Sequence, residues 1–212
     1  MRVHVAFTPS EAATAELGVV VDVVRATSSI AQALASGYRR VLCCAEVEQA
    51  RALRASLGDR AVVGGERDAI RIEGFDVGAS PRELLEPRAE TLVLSTTNGT
   101  RAILAAAERC DEVLLGSLLN LDAVARAAGA AGEVAILCAG YKGGFAFDDA
   151  YCAGRIVTAL DGADRTDAAI AGRERLRDRG GRADDVHDDA ELGRGRFGRG
   201  EGDVHPHGRG LR

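Results

Sequence analysis

The chain has 212 residues, enough for one sizeable core or two small ones. Its net charge of −5 gives no overall attraction for nucleic acid or an anionic membrane, and no apolar run approaches the ~20 residues that span a bilayer. The start, MRVHVAFTPS, shows no signal-peptide pattern, and the five cysteines form no CxxC pair, so they read as reduced thiols in a cytoplasmic protein.

Val3–Phe7 reads as a first buried strand and Gly18–Val24 as a second. Asp22 interrupts the second apolar run, where a carboxylate is costly unless paired or bound to a metal. Arg25 follows three residues on, with Thr27 and Ser28 at the opening of a helix over Ser28–Ser36. Hydroxyls and backbone N–H groups at a helix start form an anion pocket, so this stretch suggests a metal-assisted phosphate site. An Asp22–Arg25 ion pair with Thr27 or Ser28 as N-cap accounts for the same residues. A strand over Arg40–Ala45 and a helix over Glu46–Ser56 come next, the helix striped by Val47, Ala50, Leu53 and Leu57.

Strand Ala61–Gly64 leads into GGERDAIRIEGFDVGASP. Glu66, Arg67, Glu73 and Asp76 stand there among glycines. Carboxylates are hard oxygen ligands suited to Mg²⁺, and a loop this long is more often functional than idle. The alternative is a solvated surface loop. Strand Thr91–Ser95 then runs into Thr97, Asn98, Gly99 and Thr100 before a helix over Gly99–Arg109 that carries Arg101. Donors around a helix N-terminus resemble a P-loop in physics, but no Gly-Lys-Ser/Thr follows; an Asn-Gly turn capping a helix explains them equally. Strand Glu112–Gly116, helix Leu121–Ala128 and strand Val134–Cys138 precede CAGYKGGFAFDDAYCAG. Lys142 is the one lysine against 26 arginines, a point charge for a phosphate, sulfonate or carboxylate. Asp148 and Asp149 open a helix over Asp148–Leu160, where its dipole favours negative charge. Cys138 and Cys152 read as small core residues rather than nucleophiles.

Strands alternating with helices over short connections imply an α/β fold, a largely parallel sheet with helices on both faces. Ligands bind at the carboxyl ends of such strands, and every polar cluster above falls at one. No histidine lies near any cluster, which argues against Ser-His-Asp or Cys-His chemistry. No G-x-G-x-x-G follows the first strand, which argues against a dinucleotide site. From residue 161 onward the chain holds 11 Arg, 11 Gly and 12 acidic residues but few large apolar ones. That composition reads as a disordered tail, or as a reading frame lost beyond about Ala171 of a GC-rich gene. An RNA-binding tail is disfavoured because acids balance the arginines.

DVVRATSS, GER, EGFDVGASP, TTNGTRAI and CAGYKGGFAFDDAYCAG resemble, in order, the motifs of the 2-phosphosulfolactate phosphatase (ComB-like) family. The resemblance covers residues 1–160 as one phosphatase domain and leaves 161–212 as an atypical tail. It implies a three-layer α/β/α fold and Mg²⁺-dependent hydrolysis of 2-phospho-3-sulfolactate, or a related 2-phospho-hydroxyacid, to the free acid and phosphate, on the route to coenzyme M. Some of Asp22, Glu66, Glu73, Asp76, Asp148 and Asp149 would hold Mg²⁺. Arg25, Arg67 and the N–H groups at Thr27–Ser28 and Asn98–Thr100 would hold the phosphoryl group, and Lys142 or Arg101 the second acid group. Asp22 would attack phosphorus or position water. Two departures are Ala79, where the family usually has Asn, and Asp148, where it usually has Glu. The implied partner is a small phosphorylated acid, without nucleic acid or membrane; the oligomeric state, a homo-oligomer included, is left open. The alternatives are a non-catalytic small-anion-binding relative and an inactive product with a disrupted C-terminus.

Overall fold

Alternate residues of each apolar strand face opposite sides, so a strand apolar on both faces needs a packed layer on each. The computed structural model describes residues 1–11, 13–160, 162–177, 197–198 and 209–211. It satisfies that demand with two parallel sheets and three helical layers. The strands are β1 (Arg2–Ala6), β2 (Ala15–Val21), β3 (Arg40–Cys43), β4 (Ala61–Arg67), β5 (Ile70–Arg71), β6 (Thr91–Ser95), β7 (Cys110–Gly116), β8 (Glu133–Cys138) and β9 (Asp164–Arg165). The helices are α1 (Ala26–Ala35), α2 (Val47–Leu57), α3 (Gly99–Arg109), α4 (Leu121–Ala128), α5 (Phe147–Ala159) and α6 (Asp167–Arg177).

The first sheet has the order β7-β2-β8-β1-β9, all parallel. Val19, Val21, Leu114 and Ile136 face one way, onto α4, α5 and α6. Val20, Val113 and Leu115 face the other way, onto α1 and α3. This is the three-layer α/β/α arrangement expected from the sequence. A second sheet, β3-β6-β4-β5, lies beyond α1 and α3, with β5 its single antiparallel member among these strands. Val41, Cys43, Leu92 and Leu94 cover the outer sides of α1 and α3, and α2 closes the far face through Ala50 and Leu53. The sequence implies one sheet; the chain builds two, because β3, β4 and β6 pair with one another instead of extending the first.

Packing does not stop at residue 160. β9 pairs with β1, and α6 packs on α5 with Ala169 fully buried. Phe197–Gly198 and Arg209–Leu211 pair antiparallel with β7 and β3. The expectations of a disordered or frame-shifted tail otherwise lie outside the described residues. The long loop after β4 is partly regular, with β4 running on to Arg67 and a short 3₁₀ turn at Pro81–Leu84 behind Ser80. All five cysteines are free and buried. Burial pushes Cys43 and Cys152 up to about 12 and Cys44 to about 11, which suits core residues and not nucleophiles.

Gly65 of β4 pairs with Ser95 of β6. A Cβ there would run into the carbonyl oxygen of Ser95, which is backbone and cannot swing aside. Gly65→Ala is expected to lower stability by about 1–3 kcal/mol, the usual cost of overpacking. Urea denaturation checks this, and an unchanged midpoint would contradict it.

Candidate active site

Parallel strands send their carboxyl ends to one side, and the helices that follow them begin there. β2 and β8 of the first sheet, and β4 and β6 of the second, all end around one pocket of about 80 Å³. Its lining includes Asp22, Arg25, Glu66, Asp68, Thr97 and Asn98. Because α1 and α3 lie between the sheets and follow β2 and β6, both open at this pocket.

Asp22 stands one residue beyond β2 and is 7% exposed. Its Oδ1 accepts from the Ala26 N–H at 3.1 Å, so the carboxylate caps α1. Its Oδ2 faces Gly99, where any Cβ would strike both that oxygen and Ala26. Burial, with smaller contributions from the charges of Asp148 and Glu66, raises its pKa to about 6. No Asp22–Arg25 ion pair forms. Arg25 donates instead from Nη2 to the carbonyl of Ala69 at 3.1 Å.

Thr27 and Ser28 differ from the expectation. α1 starts two residues earlier than the sequence suggests, so both lie inside it and are buried. Thr27 Oγ1 donates to the Asp22 carbonyl at 2.7 Å and accepts from the Asp22 N–H, while Ser28 Oγ donates to the Val23 carbonyl. These hydroxyls hold the turn.

Glu66 is clamped. Its Oε1 accepts from Thr97 N–H at 2.8 Å, and its Oε2 from Ala69 N–H at 2.7 Å and Thr97 Oγ1 at 3.1 Å. Thr100 makes a reciprocal pair with Thr96, each hydroxyl accepting from the other's backbone N–H. Asn98 Oδ1 accepts from the Lys142 N–H at 3.3 Å. Among the described residues, the N–H groups of Asn98 and Gly99 have no hydrogen-bond partner, and they sit at the positive end of α3.

Asp148 and Asp149 lie in the first turn of α5, as expected. They part company there. Asp149 is 3% exposed and accepts from Val23 N–H at 2.8 Å with Oδ1 and from Gly140 N–H at 3.0 Å with Oδ2. It staples the loop after β2 to the loop after β8. Burial raises its pKa to about 7, with the charges of Asp22 and Asp148 adding to that. Asp148 is half-buried.

Gly99, Thr100, Lys142 and Asp148 adjoin the lining without being part of it, and four other expected residues are engaged elsewhere. Arg67 donates to the carbonyls of Glu66 and Ala45 and to Ser95 Oγ, tying β4 across β6 to the end of β3. Arg101 pairs with Glu46 at 2.9 Å, on the side of α2. Asp76 Oδ2 accepts from Val63 N–H at 2.8 Å and lies 3.9 Å from Arg54. Glu73 is exposed, with its carbonyl accepting from Arg51 of α2. Sequence reasoning counted the charges of these loops but had no register from which to tell inward from outward. It missed Asp68, which lines the pocket and pairs with Lys142 Nζ at 2.7 Å.

Fold and site define an α/β protein with a carboxylate-lined ligand pocket at the carboxyl ends of two parallel sheets. Residues 4–191 match the family described as 2-phosphosulpholactate phosphatase, and the chain belongs to that family. The match extends to residue 191, twenty residues beyond Ala171. A protein named probable 2-phosphosulfolactate phosphatase from Clostridium acetobutylicum is 42% identical over 67% of this chain and 61% of its own length. A protein of the same name from Symbiobacterium thermophilum is 40% identical over 84% and 79%, and one from Thermus thermophilus is 42% identical over 73% and 66%. The chain spans about 60% of the length of the Clostridium acetobutylicum and Caldanaerobacter subterraneus relatives.

The raised pKa of Asp22 makes stability depend on pH. From 3.8 up to about 6, the folded chain keeps a proton that the unfolded chain has released. The native state therefore binds more protons, and stability falls as pH rises through that window. In the metal-free protein, Asp22→Asn is expected to be more stable than the parent at pH 8, by up to about 3 kcal/mol. The advantage shrinks toward pH 4. Urea unfolding in EDTA at both pH values checks this; a difference independent of pH would contradict it.

Proposed function

We propose that this chain hydrolyses 2-phospho-3-sulfolactate, or a related 2-phospho-hydroxyacid, to the free acid and phosphate in a Mg²⁺-dependent reaction. The supporting observation is the meeting of the Asp22 carboxylate with two helix N-termini in one pocket. Family membership supplies the substrate class.

The donor set fits the metal. Asp22 feels the negative charges of Asp148 and Glu66, and Arg25 is the one arginine or lysine in the lining. Among the described residues, no three His, Cys, Asp or Glu side chains form a cage that could hold a metal by themselves. Mg²⁺ needs no such cage, because one or two carboxylates with phosphate oxygens and water suffice. Asp22 and Asp148 would hold it, and it would supply neutralisation of phosphate oxygens and of charge on the leaving alkoxide.

The chain's own residues do the rest. The free N–H groups of Asn98 and Gly99 and the Arg25 guanidinium hold the phosphoryl oxygens. Hydrogen bonding to Ala26 orients Asp22, leaving Oδ2 for attack on phosphorus or for taking a proton from water. Its position at a strand end, in front of a helix N-terminus, favours attack. Lys142 receives the second acid group. No helix among the described residues is long and apolar enough to cross a membrane. The free buried thiols support a reducing, cytoplasmic setting.

The test is phosphate release from 2-phospho-3-sulfolactate and phospholactate by the purified chain, with Mg²⁺ and with EDTA. Release with Mg²⁺ and none with EDTA is expected. Asp22→Ala is expected to lower kcat/KM about a thousandfold or more, and Arg101→Ala to stay within about twofold. Undiminished turnover by Asp22→Ala would remove Asp22 from the mechanism. A folded chain that binds the ester without releasing phosphate would be a binding relative.

A further inference from the structure

Two loop tips meet over the pocket. One is the turn between β4 and β5, with Asp68 and Ala69; the other follows β8 and carries Tyr141 and Lys142. Asp68, Ala69 and Lys142 have φ of 51°, 66° and 50°, and they are the only non-glycine residues with positive φ among those described. Side chains other than Gly, Asn and Asp adopt this backbone reluctantly, and such residues gather where function over-determines the chain.

Both tips hang on neighbouring residues of one helix start. Asp68 N–H donates to Thr97 Oγ1 at 3.2 Å, and Lys142 N–H donates to Asn98 Oδ1 at 3.3 Å. Glu66 Oε2 and Arg25 hold Ala69 from either side. So the backbones are pinned while the ion pair between the tips is not. The side chains of Lys142 and Asp68 are 55% and 65% exposed. An ion pair this open is easily exchanged for another partner of the same charge.

We propose that Asp68 is an internal stand-in for the substrate's second acid group. It occupies Lys142 in the free protein and yields it to an incoming sulfonate or carboxylate. The inference rests on the phosphatase reading above and extends it to specificity. An ester that carries a second acid group replaces one ion pair with another. A simple phosphate ester leaves Lys142 with Asp68 and gains nothing there. Asp68 thus lowers affinity for every two-acid ligand, while Lys142 rewards only those that reach it.

A double-mutant cycle tests this on the full chain. Titration calorimetry with 3-sulfolactate gives affinity without turnover. Asp68→Asn suits the cycle because Asn tolerates positive φ, so the turn is kept. Asp68→Asn is expected to bind 3-sulfolactate about two- to fivefold more tightly. Lys142→Met is expected to bind it more weakly, and adding Asp68→Asn to Lys142→Met should bring no gain. The ratio of kcat/KM for 2-phospho-3-sulfolactate to that for p-nitrophenyl phosphate should rise in Asp68→Asn and fall in Lys142→Met. An equal gain in both backgrounds would mean a through-space charge effect and would overturn the proposal, as would no gain in either. If the parent releases phosphate and the cycle fails, the stand-in role alone falls. If the parent neither binds 3-sulfolactate nor releases phosphate, the phosphatase reading fails and takes this one with it.

Discussion

The site depends on the missing Cβ of Gly99. Two helices that start between the same pair of sheets compete for one space, and here the start of α3 rests directly on Asp22 and Ala26. Any side chain at 99 would push the two helix starts apart. Without one, the positive ends of α1 and α3 converge on a single buried carboxylate. That convergence has an electrostatic logic: each N-terminus presents N–H groups that helix geometry leaves unpaired, and a carboxylate or a phosphate can accept from them.

Three carboxylates near the pocket show how one residue type divides into different roles. Asp149 meets two backbone N–H groups, Glu66 meets two N–H groups and a hydroxyl, and Asp22 meets Ala26 through Oδ1. The first two fix loops: Asp149 joins the exits of β2 and β8, and Glu66 joins the β4–β5 turn to the start of α3. Asp22 keeps its other oxygen, Oδ2, against Gly99 at the start of α3. Its elevated pKa follows from burial, with smaller contributions from the charges of Asp148 and Glu66, an arrangement that a divalent cation or a proton satisfies.

Much of this was legible in the sequence because apolar period and strand-end polarity are local signals. The strands at Thr91–Ser95 and the helices Gly99–Arg109 and Leu121–Ala128 stand where the pattern places them. Asp22, Asn98, Gly99 and Lys142 come together because parallel strands deliver all their carboxyl ends to one side. Direction within a loop was not legible. Arg67 and Arg101 carry the same charge as Arg25, yet one ties strands together and the other faces α2. The second sheet was hidden for a related reason: nothing in an apolar strand names its partner, and β3, β4 and β6 look like any other buried strand. Asp68 escaped notice because an acid in a turn reads as a solvated one until Lys142 is seen opposite it.

Residues 162–177, set apart by composition, pack against the helix that opens beside the site. α6 lies on α5, whose first turn holds Asp149. A Cβ at Gly172 of α6 would meet the Phe7 ring at ordinary van der Waals distance, and Phe7 in turn packs on Phe145 with ring centroids 6.0 Å apart. Phe145 belongs to the loop that carries Lys142. Phe7 therefore stands between that loop and a helix more than twenty residues further along the chain. An arginine-rich composition hid this, because a residue that makes the contact is small: Ala169 is fully buried and adds almost nothing to apolar content. Closeness here comes from small side chains, which no count of large apolar residues registers.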